Sequence, residues 1–153
     1  MLSRRGLPGQ LVFSSDVTRS LNLFRNQIGT LLRGDGKLLG LISIYRRFKD
    51  FLDKNPDENA DSALSLIEDA VRSVHSAEAE IDPKNGDPAA IIDKVGVIIS
   101  KRVQGCIDKA LAALKTFYKT PGFKGIYDSL DKWHELRESF EQDVLNVSRK
   151  LKI

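Results

Sequence analysis

Two histidines, a single cysteine and a Gly-Asp-Gly-Lys run are the parts from which a reaction centre would have to be assembled in this 153-residue chain. His134-Glu135 opens like a zinc-protease array, where two histidines one helical turn apart hold the metal and the glutamate activates water. No histidine follows at the required position, and His75 belongs to a different predicted helix, so the ligands for a metal do not converge. Cys106 falls within a helical stripe of apolar residues, which predicts an inert core thiol and not a thiolate nucleophile. Gly34-Asp35-Gly36-Lys37 suggests a phosphate cradle, but the Gly-x-x-x-x-Gly-Lys-Ser/Thr spacing is missing and no strand precedes it. It reads as a helix-helix turn. The acids concentrate on one predicted helix face, where solvation explains them without a catalytic pair. No enzyme activity, metal or cofactor is expected.

The same turn contains Arg33-Gly34-Asp35, which spells an adhesion tripeptide, and Asn146-Val147-Ser148 matches a glycosylation acceptor. Both would need an extracellular setting, and no apolar segment of secretory type follows Arg4 and Arg5. Asn146-Val147-Ser148 also lies inside a predicted helix with Val147 on its buried stripe. One cysteine excludes an internal disulfide framework, and no run of about 18 apolar residues is present to span a bilayer.

The elements that would position any site are helices. Asp87-Pro88 is an N-cap acid followed by proline at the first helical position, where the missing N–H costs nothing. Apolar residues then recur at Ile92, Val95, Ile99, Val103, Cys106, Ala110, Leu114 and Phe117, a helical period. A second lane (Ile91, Ile98, Ile107, Leu111, Tyr118) widens the stripe. This spine, residues 87–119, is matched in length only by the last helix and organises the rest.

Before it, helices are expected at about 16–33, 37–54 and 60–80. The first buries Val17, Leu21, Phe24, Ile28, Leu31 and Leu32. The second carries Leu38, Leu41, Ile42, Tyr45, Phe48 and Leu52 on one face, with Leu39, Ile44 and Phe51 off it, and ends at Asn55-Pro56. The third runs Leu64, Ile67, Val71, Val74 and Ile81, with Ala63, Ala70 and Ala77 alongside. After the turn Thr120-Pro121-Gly122, a fifth helix at about 123–151 buries Ile126, Leu130, Trp133, Phe140, Val144, Val147 and Leu151. The expected fold is all-α: one elongated bundle of about five helices over residues 15–153, the last two long and antiparallel. Residues 1–14 read as a flexible basic arm.

Charge is unevenly spread. Residues 1–55 carry ten Lys/Arg against four Asp/Glu, residues 56–100 three against ten, and residues 101–153 eleven against seven. Either the acidic third neutralises its neighbours, or the outer thirds form a basic face suited to an anionic surface. The candidate contacts for such a surface, or for a partner, are Arg46, Arg47 and Lys49 on the second helix and Arg149, Lys150 and Lys152 at the C-terminus. A net charge of +3 is too small to imply nucleic acid, and the aromatic residues fall on or beside core stripes. The Arg-bearing, acid-poor first 36 residues suit a mitochondrial address as an alternative to a cytoplasmic or membrane-peripheral location.

Phe123-Lys124, Leu130, Trp133 and Glu135-Leu136 resemble a stretch in the helical N-terminal bundles of the mixed-lineage-kinase-like pseudokinase and related fungal cell-death domains. The resemblance covers some fourteen residues and requires a one-residue shift. It implies movement of a basic helical surface onto a membrane, and bears on that reading alone. The expected function is therefore a non-catalytic interaction module, a scaffold or adaptor binding another protein or itself. The alternative is a peripheral, anionic-lipid-binding bundle.

Overall fold

The computed structural model describes residues 15–81, 87–117 and 121–151. They form α1 (Ser15–Arg33), α2 (Leu41–Lys54), α3 (Glu58–Glu80), α4 (Pro88–Val97), a π-helical segment (Ile98–Val103), α5 (Gln104–Lys115) and α6 (Pro121–Leu151). Because α4, the π-segment and α5 are continuous, the chain makes five rods around one contiguous apolar cluster. The fold is all-α, with no strand among the described residues. The arm at residues 1–14 lies outside them.

The expected stripe of α1 is buried from Leu21 through Phe24 and Ile28 to Leu31 and Leu32. The helix stops because Gly34 and Gly36 take φ of +84° and +91°, the left-handed region that glycine tolerates. Asp35 then holds the turn: its carboxylate accepts from the backbone N–H groups of Lys37 (2.9 Å) and Leu38 (2.8 Å). Gly34 and Leu39 form an antiparallel bridge. This turn uses residues 37–40, so α2 begins at Leu41 and not at Lys37. Its buried residues are Leu41, Ile44, Phe48 and Leu52. Ile44 is thus on the core face, while Ile42 and Tyr45 are only half-buried against it.

In α3 the alanine lane is the core lane. Ala60, Ala63, Ala70 and Ala77 are fully buried with Ile67 and Val74, whereas Leu64 and Val71 are half-buried. Small side chains let α3 lie close to its main partners, α5 and the π-segment. Trp133 of α6 buries its ring and donates its indole N–H to the carbonyl of Leu31 (2.9 Å). That carbonyl lies in the last turn of α1, where backbone acceptors lack intrahelical donors.

The spine departs from a plain α-helix at one place. Its buried residues are Ile92, Val95, Ile99, Val103, Ile107, Ala110 and Leu114. From Val95 to Ile107 the spacing is four, four and four, which is too long for 3.6 residues per turn. The π-segment, hydrogen-bonded i to i+5, takes up the excess. One consequence corrects the sequence expectation: Ile107 occupies the core position assigned to Cys106, and Cys106 is only half-buried beside it.

The last two rods run antiparallel. Phe117, just after α5, stacks beside Phe123 at the start of α6, with ring centroids 4.9 Å apart. At the other end Gly96 of α4 faces Val144 of α6. One turn before Val144, Phe140 also meets α1, where Phe24 stacks on it at 5.3 Å.

Candidate functional site: an apolar groove between α4 and α6

Of the six basic residues singled out from sequence, the structure describes the side chains of four, and these fall in two separate places. Arg46, Arg47 and Lys49 are exposed on α2, and Lys49 lies 4.0 Å from Asp53 on the same helix. Neighbouring Phe48 packs on Phe123, at the start of α6. Arg149 is exposed 26 residues further along α6, roughly 39 Å away at the helical rise. The side chain of Lys150 and all of Lys152 lie outside the described residues.

The residues that could do chemistry are equally dispersed. His75 is exposed on α3, and His134 on α6 accepts a hydrogen bond through Nδ1 from the guanidinium of Arg137. Among the described residues no three of His, Cys, Asp and Glu converge on a point. Burial pushes the Cys106 thiol above its usual value, and the nearby Asp69 adds to the shift. The carboxylate of Asp35, in the adhesion-like tripeptide, is spent on its own turn, and the backbone N–H groups of Leu38 and Lys37 hold it below the usual carboxylate range. Ion pairs join acidic α3 to basic neighbours, Arg33–Glu78 at 3.4 Å and Lys94–Glu80 at 3.2 Å. These pairs neutralise part of the charge asymmetry within the bundle.

What the fold does build is a groove of about 450 Å³ between the α4 rod and the C-terminal half of α6. Ile92, Asp93, Gly96, Val97, Ile99 and Ser100 form one wall; Phe140, Glu141, Val144 and Leu145 form the other. Ile92, Ile99 and Phe140 are core residues whose inner faces complete the bundle. Val97 and Leu145 stand on the rims, 53% and 50% exposed.

Gly96 keeps the groove open. A Cβ there would stand 3.6 Å from the nearest methyl carbon of Val144, an ordinary contact, so packing does not forbid a side chain. Polar groups are few: Ser100, exposed Asp93, and Glu141, which is ion-paired to Arg137. Asp143, beside Val144, has its carboxyl raised above the usual range by partial burial. Both ionisable residues lining the groove are acids.

None of Val97, Leu145 or the groove was anticipated from sequence, because the two walls come from segments forty or more residues apart. The available signal was Gly96 inside a helical stripe, with Val97 and Leu145 as apolar residues outside the stripes. Compared with known proteins, the chain matches no family model, no curated protein and no solved structure.

Proposed function

We propose that this protein is a non-catalytic interaction module that receives a helix of a protein partner in the α4–α6 groove. The observation that carries the reading is the open apolar groove with Val97 and Leu145 half-exposed on its two rims. Its walls span about two helical turns, from Asp93 to Ser100, the length over which a docking helix inserts side chains at i, i+3 and i+4. A volume of about 450 Å³ is roughly three times the ~150 Å³ cavity that accepts one benzene ring, room for two or three apolar side chains.

The test is photo-cross-linking from position 145, with exposed Lys132 as the control position. Adducts to an identified protein from position 145 alone, lost on Gly96→Leu filling of the groove, are the expected result. Equal adducts from both positions, or none, would overturn it. Membrane docking through Arg46 and Arg47 predicts instead salt-sensitive co-sedimentation with anionic vesicles, abolished by Arg46→Glu/Arg47→Glu and indifferent to the groove. No helix among the described residues is long and apolar enough to cross a membrane.

A further inference from the structure

We infer that the groove's occupant is the outward face of α1 from a second copy of this chain, so that the protein pairs with itself. The inference rests on the groove being a protein-binding surface. Three large hydrophobic side chains are exposed among the described residues: Leu23, Val97 and Leu145. Two rim the groove. The third, Leu23, projects from α1 at 56% exposure and does not enter its own chain's groove.

The charges match as well. Arg19 stands one helical turn before Leu23 on the same face of α1 and is exposed. In the groove, Glu141 is already held by Arg137, which leaves Asp93 as the uncompensated charge. Neither Arg19 nor Asp93 takes part in an ion pair among the described residues. An apolar knob with one cation therefore faces an apolar groove with one anion. Gly96 and Ser100, one turn apart on the α4 wall, keep that wall low enough for a helix to approach.

The geometry favours closure. Phe24 stacks on Phe140, so Leu23 sits at the height of the α6 residues that wall the groove. A two-fold axis along the bundle then sets each copy's knob level with the other's groove, giving two identical contacts. A one-sided contact would propagate into chains.

The experiment is sedimentation of the full chain over a wide concentration range, joined to photo-cross-linking from position 97. The expected mass rises from 17.1 kDa to twice that value with concentration. Leu23→Asp and Leu145→Asp should each hold the chain monomeric with unchanged circular dichroism, since both side chains are exposed. Arg19→Asp or Asp93→Arg should each weaken association roughly tenfold, and the two together should restore it. The cross-link in purified protein should fall in the tryptic peptide Ser20–Arg25, which contains Leu23. A chain that stays at 17.1 kDa, or a Leu23→Asp variant that associates like the parent, overturns the inference. If the monomeric chain still cross-links through position 97 to a different protein, the second copy is refuted and the interaction reading stands. If it cross-links to nothing, both fail.

Discussion

Removing Lys101 should leave the fold intact, although it deletes a residue from the middle of the longest buried stripe. Val95, Ile99, Val103 and Ile107 are all fully buried at intervals of four. In an α-helix a residue four positions on is rotated by about 40° past a full turn, so three such steps drift about 120° off the core face. The π-segment absorbs that drift. Deleting Lys101 renumbers the downstream residues so that the intervals from Ile92 to Leu114 become three and four in alternation, the pattern an unbroken helix buries. Lys101 is itself exposed, so the change should stay within about 1 kcal/mol, a melting shift of roughly 2–4 °C for a chain of this size. Deleting Asp108 instead has no π-turn to remove. It rotates the rest of α5 by about 100°, pushing Lys115 toward the slot of Leu114. Loss of Leu114 burial costs about 1.5–3 kcal/mol, and placing a lysine there costs several more, enough to unfold a domain of ordinary stability. Thermal melts followed by circular dichroism, with urea titration, separate the two deletions. If removing Lys101 destabilised the protein as much as removing Asp108, the π-segment would not be the compensating element.

Three further substitutions test the elements around it. Gly40→Ala should cost about 3 kcal/mol or more, because its Cβ would lie 2.2 Å from the carbonyl oxygen of Leu32; Gly105→Ala, with open space at its Cβ, should gain up to about 1 kcal/mol. Chemical denaturation measures both. Trp133→Phe leaves the buried Leu31 carbonyl without its donor, an expected loss of about 1–3 kcal/mol before any cavity term, read from the urea midpoint. Asp35 has a lowered carboxyl pKa, so the stability it confers is present above its unfolded value and is lost as pH falls through the folded value. The melting temperature of the parent minus that of Asp35→Asn should therefore be flat above about pH 5 and shrink below about pH 4. A difference that grows on acidification would refute the role of the turn carboxylate.

Helix positions were legible because they rest on local chemistry. The glycines after Arg33, the proline after Asn55 and the Asp87 cap each mark an end, and Asp87 accepts from Ala89 and Ala90 as an N-cap should. Which face of a helix becomes the core was less legible, because that depends on neighbours. In α3 the alanines won over Leu64 and Val71, since close approach to α5 rewards small side chains. The slip from Cys106 to Ile107 was hidden because a periodicity count assumes one residue-per-turn value throughout, and the π-segment changes it locally. The distance between Arg46 and Arg47 on α2 and Arg149 on α6 was not legible, because sequence does not report which end of the long α6 rod packs against α2. The groove was invisible because it belongs to neither wall alone.

On the proposed reading, the groove is kept for docking and not for stability. Gly96 sits inside a helix, where glycine costs about 0.5–1 kcal/mol relative to alanine, yet a methyl group there would meet Val144 at an ordinary 3.6 Å. No turn or close approach requires a glycine at that position, in contrast to Gly34, whose φ is +84°. Val97, one residue on, is half in water, and so is Leu145 across the gap. Three departures from folding economy thus occur on one surface, while the remaining rods pack their large apolar residues inward, Leu23 excepted. Local choices that oppose the global fold are expected where a surface has a second task. On that argument Leu23 is the informative residue: among the described residues it is the one exposed large apolar side chain that the groove's walls do not explain, and Arg19, one turn before it, supplies the charge that the groove lacks.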